Sequence, residues 1–398
     1  MAAKSSLNRS LPGIIVSSRG ASRLQRGHSW VYRSDITGAE QIRPGSLVSV
    51  SDGHGRFLGT AMYSSSSQIA VRLLAPGPIK NFPDLVAARV RQAIEYRKLV
   101  VNHSDAYRVV FSEADFLPGL IVDRYNDLLS IQILTQAMDS DPARAAIISV
   151  LSDELSPASI TERADARVRA LEQLASRDSA LVAGTKSSTV FTMNGVRFHH
   201  SALAGQKTGA FLDQRENYAA AEQYAHGDAL DVFCYQGGFA LHLARRCNRV
   251  TAVDSSRPAL ETAEKNATLN GREVEWIEAN AFDLLKDYAA AGRQYDSIVL
   301  DPPAFAKSQK NLPSAFAGYK ELNLRALKML RPGGILVTCS CSQQVSQMDF
   351  LEVILSAAID LRIRPRIIEL RGQARDHPIL LGVPETRYLK AVICRLSD

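Results

Sequence analysis

The stretch Asp231-Val-Phe-Cys-Tyr-Gln-Gly-Gly-Phe239 decides the fold of the second half of the chain. The apolar residues around Asp231 are typical of a strand that is buried on both faces. Gly237 and Gly238 end the strand and begin a helix, where free N–H groups and missing side chains leave room for a ligand. A second predicted strand, 249–253, leads into Asp254, a position from which an acid can accept hydrogen bonds from a ribose.

This loop favours one class of nucleotide ligand over another. It lacks the Gly-x-Gly-x-x-Gly pattern of dinucleotide-binding folds. An acid followed by a Gly-Gly pair suits S-adenosylmethionine, because the ribose and the cationic amino-acid end of that molecule both favour carboxylates. The alternative is a βαβ packing turn in which the acid serves no ligand.

Strands and helices alternate regularly beyond this loop. Further strands are predicted at 274–278, 295–300 and 335–338, each followed by a helix. Five strands separated by helices predict a parallel, doubly wound sheet. The last two predicted strands, 366–370 and 388–396, have no crossover helix between them and must be antiparallel. The pattern is the α/β, Rossmann-like, seven-stranded plan of class I methyltransferases.

The first part of the chain has a different pattern. Residues 1–34 contain six basic residues and no acid. Short β-like runs follow at 46–51, 56–63 and 68–73, separated by glycine-bearing turns. These features predict a small β-barrel with a basic, aromatic-bearing face of a kind that binds RNA. Trp30 either belongs to that face or anchors the core.

The middle of the chain predicts a small α/β unit that follows a connecting helix at 84–101. Its predicted strands are 106–115, 119–123 and 128–135, and Pro142 marks the start of a helix. Glu162, Arg163 and Asp165 are interpreted as a surface ion-pair cluster, and the polar segment 177–188 as a linker. We therefore expect an RNA-binding domain at 1–80, a central α/β domain at 81–185 and a methyltransferase domain at 186–398.

Composition limits the class of protein. The 398 residues are 46% hydrophobic and carry a formal net charge of +6, which suits packed domains and a polyanionic partner. No apolar run approaches the roughly 20 residues of a membrane span, and the run 11–16 is too short for a signal peptide. Five widely spaced cysteines favour free thiols in a reducing compartment. We expect a cytoplasmic protein without a membrane partner.

Two further segments lie at predicted strand ends, where ligands bind in such sheets. Asp301-Pro-Pro-Ala-Phe305 places a carboxylate and an aromatic ring on a rigid segment, as a flipped base requires; a proline-rich strand end without function is the alternative. Cys339 and Cys341 follow the next strand, without the further His or Cys ligands of a metal site, so we predict no metal. A structural role suits Cys339, and a nucleophile suits the more accessible Cys341.

Methylation of cytosine at C5 would explain why the site contains a thiol. The C5 atom is a poor nucleophile until a thiolate adds to C6 and makes C5 enamine-like. Methylation of an amine or a ring nitrogen needs no cysteine.

At these motifs the chain resembles a known family, the ribosomal RNA large subunit methyltransferase I family of bacterial 23S rRNA 5-methylcytosine methyltransferases. The resemblance covers almost the whole chain, in segments 27–32, 111–115, 117–125, 205–215, 231–239, 301–308, 339–342 and 376–390. It implies an N-terminal PUA domain, a central α/β domain and a class I domain. It also implies a 23S rRNA partner, a nucleophilic Cys341 and a contribution of 205–215 to the cofactor pocket.

Residue types, spacing and the resemblance together give an expected site. The catalytic residues are Cys341 and Asp301. The S-adenosylmethionine-binding residues are Gln206, Thr208, Gly209, Asp231, Phe233, Gly237, Gly238, Asp254, Ser255 and Asn280. Three residues depart from the family pattern, Ala210, Asn280 and Pro303. Pro303 stands where other RNA 5-methylcytosine enzymes place a second, releasing cysteine, which leaves Asp301 as the nearest candidate for the proton-removing base.

Two other functions stay open on the sequence. One is a guanine N-methyltransferase of ribosomal RNA, which can share the Asp-Pro-Pro-x-Phe stretch but would not need Cys341. The other is a non-catalytic RNA-binding assembly factor, against which the intact set of Asp231, Gly237, Asp254 and Asp301 argues. The oligomeric state, with a homodimer as one option, also stays open.

Overall fold

The computed structural model describes residues 11–38, 41–202, 210–306 and 308–397. The chain forms two compact units. The first contains residues 1–100, 108–187 and 378–386, and the second contains 101–107, 188–377 and 387–398. Among the described residues, no helix combines the length and the hydropathy needed to cross a bilayer.

The first unit begins with a six-stranded sheet that carries one helix. The strands are β1 (Gly13–Val16), β2 (Trp30–Tyr32), β3 (Ile36–Gly38), β4 (Leu47–Asp52), β5 (Phe57–Tyr63) and β6 (Ile69–Ala75), and helix α1 is Ser18–Gln25. Their order is β2-β6-β5-β4-β1-β3; β1 and β4 are parallel and the other neighbours are antiparallel. Fully buried apolar side chains such as Ile14, Val31 and Val48 form its core. The predicted short strands are confirmed.

Several arginine side chains of this region bind groups within the fold. Arg19 and Arg23 both form ion pairs with the buried carboxylate of Asp35, and Arg33 donates to the carbonyl oxygens of Ser64 and Ser67. The Trp30 indole N–H donates to Glu113 Oε1 at 3.0 Å. Trp30 is half-buried and lies outside the buried cluster of apolar side chains in this sheet, so the structure does not make it a core anchor.

A five-stranded sheet makes up the rest of the first unit. Its elements are α2 (Phe82–Val100), β7 (Ala106–Phe111), β8 (Leu120–Tyr125), β9 (Leu128–Ile133), α3 (Asp141–Leu155), β10 (Ser159–Glu162), α4 (Ala166–Leu171) and β11 (Ala180–Gly184). The strand order is β11-β10-β9-β8-β7. The prediction that 177–188 is a linker is wrong, because residues 180–184 form β11 and pair antiparallel with β10.

The expected surface cluster around Glu162 is also wrong, because Glu162 is buried, with 5% of its surface exposed. Two nitrogens of Arg144 bond its two carboxylate oxygens, and Arg169 lies 4.0 Å away. Asp165, by contrast, caps α4 by accepting from the N–H groups of Arg167 and Val168. Glu162 is therefore a buried carboxylate whose negative charge is balanced by arginine side chains.

The second unit contains a hairpin and a seven-stranded sheet. The hairpin is β12 (Ser188–Met193) and β13 (Val196–Ser201). The remaining strands are β14 (Asp228–Val232), β15 (Arg249–Asp254), β16 (Glu275–Glu278), β17 (Tyr295–Leu300), β18 (Leu330–Ser340), β19 (Arg366–Arg371) and β20 (Lys390–Arg395). The helices are α5 (Arg215–Tyr224), α6 (Gly238–Leu243), α7 (Arg257–Asn270), α8 (Ala281–Ala290), α9 (Leu312–Met329) and α10 (Gln347–Asp360).

The topology of this sheet is the predicted one. Its order is β16-β15-β14-β17-β18-β20-β19. The first five strands are parallel, and β20 runs antiparallel to both β18 and β19. Strand β18 is longer than the predicted 335–338, so Cys339 lies within it and Cys341 directly follows its last residue, Ser340. The α/β, doubly wound class I fold is confirmed.

The buried position of Glu162 leads to a stability prediction. In Glu162→Gln one of the two carboxylates that pair with Arg144 and Arg169 is lost. Asp139 remains as their partner, but Arg169 stays buried, so unfolding should become easier by about 3 kcal/mol. Urea unfolding of the full chain measures this. Glu95→Gln is the control, because Glu95 is 63% exposed in its pair with Lys98, and it should change stability by less than about 0.5 kcal/mol.

The lowered pKa of Glu162 predicts that the stability of the protein depends on pH. The hydrogen bond from Arg144 is the main cause that lowers the pKa of Glu162. Its stabilising contribution is therefore present above the unfolded-state pKa and is lost as the pH falls through the folded-state pKa. Equal stability of the wild type and Glu162→Gln at pH 7 would contradict the buried ion pair.

Candidate active site

The candidate active site lies at the carboxyl edge of the seven-stranded sheet. Strands β14, β15, β17 and β18 run parallel there, so the loops after them meet on one side. This edge brings together Asp231, Asp254, Asp301 and Cys341. After burial, the Asp301 carboxylate is the next cause that raises the pKa values of both Asp231 and Cys341. Sequence spacing had suggested each of these four residues separately, and the fold makes them neighbours.

Asp231 is a fully buried carboxylate near the end of β14. Its Oδ2 accepts from the backbone N–H of Ala240 in α6 at 2.8 Å, whereas its buried Oδ1 has no hydrogen-bond donor among the described residues. Burial, and then the Asp301 carboxylate, raise the pKa of Asp231 well above its usual value. An unpaired buried acceptor is costly, and a cationic amino group of a ligand would satisfy it.

The loop between β14 and α6 has an unusual backbone. Phe233 and Tyr235 adopt positive φ angles of 68° and 49°, and Gly237 one of 87°. Such angles are uncommon for aromatic residues and often occur at binding sites. The N–H groups of Phe233 and Cys234 both donate to the carbonyl of Val253 in β15, at 2.9 and 3.0 Å. Neighbouring strands thus hold the loop in this shape.

The two glycines of this loop are needed for packing within the protein. A Cβ atom on Gly238 would lie 2.6 Å from the Tyr218 hydroxyl oxygen, and one on Gly237 would lie 2.9 Å from Trp276. From the sequence, these glycines are expected only to end the strand and to leave room for a ligand. Close contact with two aromatic side chains is a further reason for glycine at both positions.

Asp254 lies at the end of β15 and is partly exposed. Its Oδ1 accepts from the N–H of Ser256 and its Oδ2 from the N–H of Tyr235, both at 2.9 Å. Ser255 is exposed beside it. Asn280 lies at the start of α8, where its Oδ1 caps the helix by accepting from the N–H of Phe282 at 2.9 Å.

A small cavity adjoins the β14–α6 loop. It is lined mainly by aromatic side chains and by the Asp301 carboxylate. Its lining includes Ala210, Phe211, Tyr218, Phe233, Tyr235, Gly238 and Asp301. Phe211 and Tyr235 meet edge to face with ring centres 5.1 Å apart. The predicted cofactor residues Gln206, Thr208 and Gly209 lie outside the described residues.

Asp301 follows β17 and is held by Gln214. The Gln214 side-chain amide donates to Asp301 Oδ1 at 2.9 Å and accepts from Asn217 Nδ2 at 2.7 Å. Burial, and then the Asp213 carboxylate, raise the pKa of Asp301 to about 7. A carboxyl group with a pKa in this range can take up or release a proton near neutral pH.

Cys341 is partly buried beside the segment that follows Asp301. Its Sγ lies 3.8 Å from the carbonyl oxygen of Pro302. Burial, and then the carboxylates of Asp301 and Asp213, raise its pKa to about 11, while Lys390 acts in the opposite direction. Cys339 is fully buried, and burial raises the pKa of its thiol well above the usual value.

A hydrogen-bond network fixes the backbone on both sides of Cys341. Ser340 Oγ and Ser342 Oγ lie 3.0 and 2.8 Å from the Tyr319 hydroxyl, and Ser342 Oγ accepts from the N–H of Ala306 at 3.1 Å. Phe305, the predicted stacking partner of a base, packs against Tyr319 with ring centres 4.7 Å apart. These contacts join the segment 301–306 to the segment 340–342.

Lys390, the first residue of β20, brings a cation into the same site. Its Nζ donates to the carbonyl of Ser342 at 2.6 Å and to that of Tyr388 at 2.9 Å. Burial lowers its pKa to about 8. Lys390, Gln214 and Tyr319 are not among the residues expected from the sequence. Gln214 lies within the segment 205–215, for which the resemblance implies a contribution to the cofactor pocket. Lys390 lies within the segment 376–390, for which the resemblance implies no function.

Comparison with known proteins agrees with this geometry. A family model described as a PUA-like domain matches residues 14–76, and one described as an S-adenosylmethionine-dependent methyltransferase matches residues 128–370. The chain is similar to solved structures described as a methyltransferase complexed with SAH and an S-adenosylmethionine-dependent methyltransferase from Streptococcus mutans. Their TM-scores are 0.83 and 0.82, each at 19% identity over 97% of this chain and 100% of the other. These likenesses support the class I fold.

Two curated relatives extend over nearly the full length. The ribosomal RNA large subunit methyltransferase I of Photobacterium profundum is 36% identical over 93% of this chain and 96% of that protein. The protein of the same name from Klebsiella pneumoniae is 33% identical over 97% of this chain and 98% of that protein. The chain therefore belongs to the ribosomal RNA large subunit methyltransferase I family of S-adenosylmethionine-dependent methyltransferases.

Proposed function

We propose that the chain methylates C5 of a cytosine in 23S ribosomal RNA, with Cys341 as the nucleophile. The observation that carries this proposal is the position of a partly accessible thiol, 3.8 Å from the Pro302 carbonyl, beside the Asp301 carboxylate. The two groups that C5 chemistry requires, a thiol and a proton acceptor, thus lie on adjacent segments. The names of the curated relatives support the large-subunit RNA as substrate.

In this reaction the Cys341 thiolate adds to C6 of the cytosine, and the new S–C6 bond makes C5 nucleophilic. S-Adenosylmethionine, when bound, supplies the methyl group that C5 receives. A base then removes the proton from C5, the S–C6 bond breaks, and the thiolate is released. Asp301 is the proposed base, because its pKa of about 7 allows it to accept a proton at neutral pH.

Lys390 is proposed to assist the thiol. Enclosure and two nearby carboxylates disfavour the charged form of Cys341, and the Lys390 ammonium opposes them. The ammonium also holds the Ser342 carbonyl, next to Cys341 in the chain. It can therefore both stabilise the thiolate and fix its position.

The residues proposed to hold the cofactor fit its charge distribution. The unpaired Asp231 Oδ1 suits the amino group of the methionine end, and Asp254 suits the ribose hydroxyls. Phe233, Gly237 and Gly238 shape the loop between these acids. Further cofactor contacts are proposed for Ser255, Asn280, Gln206, Thr208 and Gly209.

The domain organisation proposed for this function has three parts. Residues 1–80, which include the match to a PUA-like domain, are proposed to bind the RNA. Residues 81–185 form the central domain and 186–398 the methyltransferase domain. Binding to RNA through basic side chains should weaken as the salt concentration rises.

The decisive test uses RNA that contains 5-fluorocytidine. Fluorine at C5 cannot leave as a proton, so the wild-type protein should stay covalently bound to the RNA, and peptide mapping should find the adduct on Cys341. Cys341→Ala should abolish methyl transfer while cofactor affinity stays nearly unchanged. Cys339→Ala is the matched control and should keep measurable activity. Normal methylation by Cys341→Ala, with no adduct in the wild type, would reject C5 chemistry and favour methylation of a guanine nitrogen.

The cofactor site is tested by replacing Asp254. In Asp254→Ala a charge-assisted acceptor is lost, which should weaken S-adenosylmethionine binding by roughly 1.5–3 kcal/mol, or about ten- to a hundredfold. Calorimetry gives the dissociation constant. Asp283→Ala removes an exposed acid from the first turn of α8 and should leave the constant unchanged. Identical affinity of Asp254→Ala and the wild type would refute the assignment.

The role of Lys390 is tested by the reactivity of Cys341. In Lys390→Met the cation that favours the thiolate is lost, so the pKa of Cys341 should rise and its alkylation by iodoacetamide at pH 8 should slow severalfold. Mass spectrometry of the Cys341 peptide measures the rate against pH.

Two variants control this experiment. Lys390→Arg keeps a cation and should retain most of the reactivity. Lys320→Met removes a lysine whose partner is Asp360, 2.7 Å away, and should have no effect. Unchanged alkylation of Cys341 in Lys390→Met would show that the ammonium does not act on the thiol, whatever base the enzyme methylates.

A further inference from the structure

Asp213 is an acid of the candidate active site that has no part in the proposed reaction. It lies in the short helical turn Leu212–Gln214, which precedes α5. The next residue, Gln214, donates a hydrogen bond from its side-chain amide to Asp301 Oδ1 at 2.9 Å. Asp213 is therefore adjacent in the chain to the residue that holds the proposed base.

Two hydrogen bonds fix the position of Asp213. The Tyr388 hydroxyl donates to Asp213 Oδ2 at 2.6 Å, and the backbone carbonyl of Asp213 accepts from the N–H of Ala374 at 2.8 Å. Lys390 Nζ donates to the carbonyl of Tyr388 at 2.9 Å and to that of the residue after Cys341 at 2.6 Å. The group that orients Asp213 is thus joined to the segment that carries the proposed nucleophile.

The second oxygen of the Asp213 carboxylate is open to a substrate. Within the part of the chain that the structure describes, Tyr388 bonds Oδ2, and Oδ1 accepts no hydrogen bond. Asp213 is also partly exposed. An ionised carboxylate accepts hydrogen bonds and donates none. Asp213 Oδ1 therefore suits a group that donates a hydrogen bond, such as an amino group.

Cytosine and uracil differ in such a group. Cytosine has a 4-amino group, which donates, where uracil has a carbonyl oxygen, which accepts. Both rings have the C5–C6 double bond to which a thiolate adds, so the proposed chemistry by itself does not separate the two bases. An enzyme that methylates cytosine and rejects uracil thus needs a hydrogen-bond acceptor at the 4-amino group.

Asp213 has the position that this acceptor requires. The C4 atom, which carries the amino group, is bonded to C5. The acceptor for the amino group must therefore lie next to the base that removes the proton from C5. Asp213 has this relation to Asp301, because Gln214 follows it in the chain and bonds Asp301.

The electrostatics of the site also place Asp213 beside the nucleophile. Burial is the largest cause that raises the pKa values of Asp231 and Cys341, and Asp301 is the next for both. The further carboxylate that raises the pKa of Asp231 is Asp254. The one that raises the pKa of Cys341 is Asp213. Asp213 therefore belongs to the half of the site that faces the target base, and Asp254 to the half that suits the cofactor.

We propose that Asp213 Oδ1 accepts a hydrogen bond from the 4-amino group of the target cytosine and thereby selects cytosine over uracil. Tyr388 fixes the carboxylate in the orientation that this contact needs. A uracil would place its O4 against the same oxygen, and the two acceptors would both be left without a donor. The inference rests on the proposed methylation of C5 through Cys341 and adds to it the residue that determines which base reacts.

Methyl transfer to two matched RNA substrates tests the inference. Both contain the 23S rRNA segment that the wild type methylates, with either cytidine or uridine at the methylated position. The wild type should prefer the cytidine RNA in kcat/KM by at least about a hundredfold. In Asp213→Asn the charged acceptor is lost, so kcat/KM for the cytidine RNA should fall about ten- to a hundredfold. The value for the uridine RNA should stay or rise, because an amide N–H can donate to O4.

Three comparisons separate base selection from a structural role. Asp360→Asn removes an exposed acid whose partner is Lys320, and it should keep the wild-type preference. Tyr388→Phe keeps the Asp213 carboxylate but removes the hydroxyl that holds it, so it should lower the preference severalfold. Calorimetry should find the S-adenosylmethionine affinity of Asp213→Asn unchanged, which also shows that the variant is folded.

The outcomes distinguish this inference from the proposed function. If the wild type forms no covalent adduct with RNA that contains 5-fluorocytidine, C5 chemistry and the inference both fail. If the adduct forms but folded Asp213→Asn keeps the wild-type preference for cytidine, the inference alone is overturned. Weaker cofactor binding with an unchanged preference would assign Asp213 to the cofactor and overturn it as well. If Asp213→Asn does not fold, Tyr388→Phe decides, and an unchanged preference in that variant rejects the inference.

Discussion

The three carboxylates at one edge of a parallel sheet impose the main constraint on this molecule. Burial raises the pKa of Asp231, and the nearby Asp301 and Asp254 carboxylates raise it further. Backbone donors from Tyr235, Ser256 and Ala240 offset part of the cost. One buried oxygen, Asp231 Oδ1, stays without a donor among the described residues. The site is thus poised for a ligand that carries positive charge and hydroxyl groups, as S-adenosylmethionine does.

The same carboxylates make the environment of Cys341 unfavourable for a thiolate. Asp301 and Asp213 add to burial in raising its pKa to about 11. Lys390, whose own pKa is lowered to about 8, is the opposing charge. With a pKa of about 11, the Cys341 thiol stays mostly protonated when no substrate is bound. Such a thiol is less exposed to oxidation than a free thiolate, and the balance between Lys390 and the two acids sets how easily it ionises.

Much of the fold could be predicted from local sequence patterns. Regular alternation of strands and helices predicted the parallel, doubly wound sheet, and the missing crossover helix predicted its antiparallel last pair. Two predictions failed for different reasons. The segment 177–188 is polar at both ends, but its apolar residues 180–183 are a local strand signal, and 180–184 pair with β10. Glu162 looks like a surface acid in the sequence, but arginines from α3 and α4, distant in the chain, enclose it. The acids and cysteines of the candidate site could be predicted from the sequence, because they lie at the ends of predicted strands. The groups around Cys341, such as Lys390 and Tyr319, could not be predicted in this way.

The direction of β20 explains why Lys390 reaches the site. In a parallel strand, the first residue lies at the edge opposite the candidate active site. Strand β20 is antiparallel to β18, and its first residue, Lys390, pairs with Ser340, the last residue of β18. The ammonium therefore arrives at the carboxyl edge, within 2.6 Å of the Ser342 carbonyl. The antiparallel direction of β20 thus places the Lys390 ammonium beside Cys341, where it opposes the effect of the Asp301 and Asp213 carboxylates on the thiol.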